Sequence, residues 1–149
     1  MKLKIYIDTS VFSACFDERA LDRKSLTEEF WGNRNLYDCS TSALGVEELD
    51  QTPDLELRAK MHSLLGDMKV IPLTKEMENL AAKYILMGVF TPTMYNDAVH
   101  VAAATLSGQE VLLSWNFRHL VNRRRRSLIG NINAASGLAV IEIMSPPEL

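Results

Sequence analysis

Cysteine is scarce in this chain: the only two in 149 residues, Cys15 and Cys39, form no C-x-x-C pair, which excludes the common zinc and redox motifs. As plain structural thiols they fit a reducing compartment. No apolar run approaches the roughly 18 residues of a membrane span, and no signal-peptide pattern is visible, so cytoplasmic residence without a membrane partner is expected. Neither G-x-x-x-x-G-K-S/T nor G-x-G-x-x-G occurs, which argues against a P-loop NTPase or a dinucleotide-binding enzyme. Positive charge is not in excess either. The net charge of −3 predicts no bulk attraction to nucleic acid, yet five arginines fall between Arg118 and Arg126, a local basic segment that the average conceals. Repeats, linkers and low-complexity stretches are missing too.

What is present suits one compact domain over 1–149: 47% of the residues are hydrophobic and 23% charged, and a chain of this length buries roughly 70% of its unfolded surface. The pattern alternates. Leu3 to Ile7 reads as a buried strand, closed by Asp8-Thr9-Ser10, where Thr9 or Ser10 can cap a helix. A helix from about Asp22 to Trp31 leads to a strand over Leu36 to Ser40, and Ser42 caps the next helix. Thr52-Pro53-Asp54 breaks the chain before an amphipathic helix through Leu57, Met61, Leu64 and Leu65, which Gly66 stops before the strand Lys69 to Ile71. Thr74 opens a helix over Lys75 to Met87, and a buried helix follows around Asp97. Glu110 to Ser114 is a strand, Phe117 to about Ile129 a helix, and Leu138 to Ile143 the last strand before Pro146-Pro147. Strands that alternate with helices predict an α/β domain with a mainly parallel sheet, whose ligands bind at the strand carboxyl ends.

Three acids stand out against this background. Asp97 opens the otherwise apolar run from Ala98 to Ala104, Asp8 ends the first strand, and Glu48 lies in an apolar helix. A buried unpaired charge costs several kcal/mol, so such groups pair, protonate or bind a cation. Two carboxylates about 5 Å apart repel by roughly 3 kcal/mol at an effective dielectric of 20, and three acids make three such pairs. Hard ions such as Mg²⁺ or Mn²⁺ offset that repulsion and favour oxygen ligands shared with substrate phosphates. Taken singly, each acid has a plainer role: Asp8 or Asp97 as a helix cap, Glu48 as one of several solvated acids beside Glu47 and Asp50.

Asp8-Thr9-Ser10-Val11 after the first strand, Glu48-Leu49 before Thr52-Pro53-Asp54, Asn96-Asp97-Ala98-Val99-His100 and Ser114-Trp115-Asn116-Phe117 together resemble the PIN domain, especially its VapC-like branch. The resemblance spans nearly the whole chain. It implies a three-layer α/β/α fold with a small, mainly parallel central sheet, and a metal-dependent endoribonuclease, often the toxin of a type II toxin-antitoxin pair. It further implies Asp8, Glu48 and Asp97 as acidic ligands of Mg²⁺ or Mn²⁺, an RNA substrate, a cognate antitoxin and a homodimer. Asn116 stands where many members have a fourth acid and joins the catalytic candidates. Its amide oxygen can ligate a hard ion but removes one negative charge, which favours one tightly bound metal. The alternative is a catalytically eroded PIN-like module that binds RNA or protein.

Around this centre, Ser114, Arg118, Arg123 and Arg124 are candidate substrate-binding residues, although Ser114, Thr9 and Ser10 equally fit as supports for the acidic ligands. Four successive arginines from Arg123 to Arg126 point all round a helix, so they divide among RNA, partner and solvent. His100 reads as a packed or hydrogen-bonded histidine, since a hard ion needs oxygen. Trp115 and Phe117 divide between the core and base stacking. Met77, Leu80, Tyr84 and Met87 divide between the core and a dimer interface.

Overall fold

The computed structural model describes all 149 residues. Strands β1 (Leu3–Ile7), β2 (Tyr37–Ser42), β3 (Lys69–Ile71), β4 (Val111–Leu113) and β5 (Glu142–Met144) are separated by helices α1 (Thr9–Ala14), α2 (Leu21–Gly32), α3 (Ala43–Asp50), α4 (Leu55–Leu65), α5 (Lys75–Leu86), α6 (Tyr95–Leu106) and α7 (Arg123–Ala135). The strands form one sheet in the order β3-β2-β1-β4-β5. Every pair is parallel, with Ile5 opposite Cys39 on one side of β1 and opposite Val111 on the other. Parallel neighbours need crossovers, and the helices supply them on both faces.

Alternation along the strands divides the core into two layers. Ile5 and Ile7 of β1, with Val111 and Leu113 of β4, pack against Phe12, Trp31 and Met61. Tyr6 and Leu112 point the opposite way, into a core with Tyr84, Ala102 and Ile129. The result is the expected three-layer α/β/α sandwich. From β1 the chain proceeds through β2 to β3 at one edge, then crosses back to β4 on the far side of β1. That reversal opens a crevice at the carboxyl ends of β1 and β4, the usual ligand position in such sheets.

A buried polar network ties three helices of the second layer together. Tyr84 of α5 donates its hydroxyl to Asn133 Oδ1 of α7 at 2.5 Å, while Asn133 Nδ2 donates to Thr105 of α6 and to the Ala139 carbonyl. Met77 and Leu80 are buried beside Tyr84, which makes these three core residues, whereas Met87 at the end of α5 is exposed. Both cysteines are free, and burial pushes the Cys39 thiol up to about 11. No helix is long and apolar enough to cross a membrane.

The last helix and the last strand differ most from the sequence reading. The last helix begins at Arg123 rather than Phe117. Two asparagines divide the work there: the Asn116 carbonyl accepts from Leu120 and Val121 to close a single turn, and Asn122 then caps the true helix through the Arg125 N–H. The same helix runs through Gly130 to Ala135, and Gly137 turns the chain with a φ of 70°. The last strand is accordingly displaced to Glu142–Met144.

Replacing Tyr84 with phenylalanine leaves Asn133 Oδ1 buried without its donor. We expect a loss of about 1–3 kcal/mol in urea denaturation at neutral pH. Burial holds the Tyr84 phenol up at about 12 against its ordinary 10.0. Its contribution is therefore full below the ordinary value and is lost as pH rises through about 12, so stability of the variant falls less steeply across that window.

Candidate metal centre

Asp8, Glu48 and Asp97 reach the crevice from three different elements. Asp8 follows β1 and occupies the cap position of α1, but its side chain makes no capping bond. Instead Oδ2 accepts from Ser10 Oγ at 2.7 Å and from Ser114 Oγ at 2.8 Å. The Ser10 hydroxyl also accepts the Trp115 N–H, and the Ser114 hydroxyl accepts the Asn116 N–H. The ends of β1 and β4 are thus laced together beneath one carboxylate oxygen.

Glu48 is delivered by α3, which Ser42 caps by accepting the Gly45 N–H. Gly45 is required by proximity: a Cβ there would overlap the Thr41 hydroxyl, which donates to the Ile7 carbonyl. Glu48 Oε1 accepts from Thr9 Oγ1 at 2.7 Å and from His100 Nε2 at 2.5 Å. Burial pushes this carboxyl up, but the His100 and Thr9 hydrogen bonds and the nearby imidazole charge outweigh it and hold the group below its usual range. The reading of Glu48 as a solvated helix acid does not describe this geometry.

Asp97 sits in the first turn of α6 and likewise makes no capping bond there. Its Oδ2 pairs with His119 Nδ1 at 2.9 Å. Burial raises its pKa, the His119 bond opposes that, and the charge of Asp8 raises it further. Asp97 therefore senses Asp8 across the crevice. It lies outside the tightest cluster, in which single ligand atoms of Asp8, Glu48 and His100 all fall within 4.8 Å of one another.

His100 is 1% exposed and has both nitrogens engaged: Nε2 with Glu48, and Nδ1 with the Tyr6 hydroxyl at 2.6 Å. Tyr6 continues to Ser42 Oγ at 2.7 Å. Burial disfavours a charged imidazole, but Tyr6, the Glu48 bond and the charge of Asp8 together hold its pKa well above the ordinary value. With both nitrogens committed, His100 acts as a donor that fixes Glu48 rather than as a metal ligand. Its position three residues after Asp97, on the same face of α6, is the signal a sequence reading has for it.

A consistent pattern emerges from the three carboxylates. Each holds one oxygen in protein hydrogen bonds, while Asp8 Oδ1, Glu48 Oε2 and Asp97 Oδ1 accept none, Asp8 Oδ1 lying 3.7 Å from His100 Nε2 as an ion pair. Hard oxygen donors held in place with one oxygen apiece outside these hydrogen bonds suit Mg²⁺ or Mn²⁺.

The remaining candidates separate by burial. Ser114 is 0% exposed and fully occupied beneath Asp8, so it has no surface for substrate, and its expected place among the substrate-binding residues is corrected to a support of Asp8. Asn116 Oδ1 accepts the His119 N–H at 2.9 Å, which gives it a local capping role beside the centre. Arg118, Arg123 and Arg124 are exposed. Arg125 instead donates to the His119 carbonyl and lies over Phe90, and Arg126 donates to the Ile143 carbonyl.

No protein-family model and no curated protein sequence matches the chain. Solved structures do. The fold is similar to that of Mycobacterium tuberculosis VapC20, a Sarcin-Ricin loop cleaving toxin, with a TM-score of 0.60 and 15% identity over 92% of this chain and 98% of that one. VapBC2 from Rickettsia felis, solved with a DNA fragment from its promoter, aligns with a TM-score of 0.55 and 12% identity over 95% of this chain and 98% of that one. VapBC-5 from Mycobacterium tuberculosis, of the VapBC family of toxin-antitoxin systems, aligns with a TM-score of 0.52 and 18% identity over 94% and 96%. The PIN-like α/β/α fold expected from the sequence is therefore the one observed.

The close approach of α3 to β2 is testable by a double-mutant cycle. Gly45→Ala should destabilise the protein by about 1–3 kcal/mol through overpacking against Thr41. Combined with Thr41→Ala, which removes the obstructing hydroxyl, it should cost less than the two single losses added, as measured by urea denaturation.

Proposed function

We propose that this chain is a metal-dependent endoribonuclease of VapC-like type, the toxin of a toxin-antitoxin pair, built as one domain over 1–149. The observation that carries the proposal is the oxygen left without a hydrogen bond on each of three otherwise tethered carboxylates, Asp8, Glu48 and Asp97. Their position at the crevice where the sheet reverses direction supports it. The fold similarity to toxins of this kind, at 12–18% identity, supports the choice of RNA as substrate and of an antitoxin as partner, and a homodimer belongs to the same reading. Cytoplasmic residence belongs to the same reading.

Asp8, Glu48 and Asp97 would hold one Mg²⁺ or Mn²⁺. When bound, such an ion stabilises charge developing on phosphoryl oxygens and lowers the pKa of water, which makes a phosphodiester hydrolysable without a covalent enzyme intermediate. The protein residues supply position. Ser10 and Ser114 fix Asp8, Thr9 and His100 fix Glu48, and His119 orients Asp97. Arg118, Arg123 and Arg124 are exposed cations on the segment that follows the site, suited to contact RNA phosphates on either side of the scissile bond. Asn116 completes the rim with a neutral amide.

The test is cleavage of labelled single-stranded and structured RNAs in Mg²⁺, Mn²⁺ or EDTA, comparing the wild type with Asp8→Asn and Asp97→Asn. Metal-dependent cutting should fall by at least about 100-fold in each variant, since the charge stabilisation is worth several kcal/mol and each 1.4 kcal/mol is tenfold. Wild-type protein that binds RNA but cuts none of the panel with either metal would point to the eroded module, with Asn116 marking the lost acid.

A further inference from the structure

We infer that Phe117 and Arg23 form a stacking platform for one unpaired nucleobase of the RNA, beside the centre that cuts it; the inference rests on the nuclease reading. Trp115, Asn116 and Phe117 leave β4 as one short segment, and the structure treats its two aromatics in opposite ways. Trp115 is 7% exposed, donates its indole N–H to Thr27 Oγ1 at 2.8 Å, and gives its backbone N–H to Ser10 under Asp8. Phe117 is 46% exposed. A large apolar ring left in water one residue beyond Asn116 is not serving the core.

The ring is nevertheless held in place. Trp115 meets it at a centroid distance of 6.0 Å with the planes inclined at 73°. The Phe117 N–H donates to the Trp115 carbonyl, and the Phe117 carbonyl accepts from Asn122 Nδ2. Arg23 of α2 brings its guanidinium to 5.7 Å from the Phe117 centroid and 5.1 Å from that of Trp115. Arg23 is exposed and has no carboxylate partner within 4.0 Å. Two planar groups of different chemistry therefore meet at the surface, one apolar and one cationic, and both are preorganised.

A nucleobase with its own phosphate is the ligand that uses both. Bases stack on aromatic rings and on guanidinium planes, and a free arginine draws the adjoining phosphate. Exposed Arg118, next along the chain, adds a second positive charge. The unstacked base has to come from a single-stranded stretch or loop, because bases inside an A-form helix present no free face. The platform therefore selects RNA whose strand is open beside the scissile phosphate.

The experiment uses an RNA that the wild type cleaves, compared across Phe117→Ala, Phe117→Tyr and Arg23→Ala, and across versions of that RNA with single abasic positions flanking the cut. Phe117→Ala should raise KM by about 5- to 150-fold, the range that loss of one stacked base covers, with little change in kcat, and Phe117→Tyr should restore it. One abasic position should impair the wild type but leave Phe117→Ala no worse. Binding of the intact RNA should also change Trp115 fluorescence in the wild type. A KM for Phe117→Ala equal to that of the wild type, or the same abasic penalties in both proteins, overturns the platform while leaving the nuclease standing. A folded wild type that neither binds nor cleaves any RNA overturns both.

Discussion

Mutual repulsion among Asp8, Glu48 and Asp97 is the constraint around which the crevice is built. Asp8 and Glu48, whose ligand atoms fall within 4.8 Å of each other, repel by roughly 3 kcal/mol at an effective dielectric of 20, and the charge of Asp8 also reaches Asp97; the chain counters this with hydrogen-bond donors. Each of the three is pinned through one oxygen, by serines, by a threonine and a histidine, or by a histidine alone. The pins come from elements far apart in sequence: α1 supports both Asp8 and Glu48, the end of β4 supports Asp8, and α6 supports Glu48. Sheet order makes this possible, since β1 lies between β2 and β4 and brings all their carboxyl ends to one place. The fold and the site are therefore coupled, and loosening the strand ends would release the acids.

His100 shows how deeply that coupling runs. It lies in the core, yet its two nitrogens link Glu48 at the surface crevice to Tyr6 and then Ser42 in the sheet layer. Ser42 is also the cap of α3, the helix that delivers Glu48. The carboxylate is thereby held twice, once through its own hydrogen bond and once through the placement of its helix. A buried polar chain of this kind is secure only when every member is satisfied. Here the only buried side-chain nitrogen or oxygen without a partner is Arg125 Nε, away from this chain of bonds.

Most of the architecture was legible because it depends on periodicity. Ile5, Tyr6 and Ile7 alternate between two cores, Ser42 and Thr74 cap the helices they precede, and Gly66 with its φ of 50° stops α4 where the pattern ends. The failures have a common cause. Asn116 and Asn122 are both good caps, and only the tertiary position of the intervening turn decides which of them starts α7. Ser114 and Arg118 are both polar residues near one motif, but Ser114 is buried just past the end of β4 and Arg118 is exposed. His100 does prove to be the packed, hydrogen-bonded histidine its sequence suggests, but its partner Glu48 is 52 residues away, so no window of sequence names that partner. Local pattern identifies the acids; which neighbours hold them is settled by long-range contacts that no window of sequence contains.

Asn116 then bears on how many cations the crevice suits. A fourth carboxylate at this position would add a negative charge that a second divalent ion could share. The amide present adds none, and its oxygen already accepts the His119 N–H, which fixes the turn that presents His119 to Asp97. The residue thus supports Asp97 indirectly through His119. Two hard cations a few ångströms apart need bridging carboxylates to screen their repulsion, and Glu48 and Asp97 each have one oxygen spoken for by a histidine. Under the proposed nuclease reading, the charge and the lone pairs that remain would suit one ion better than two.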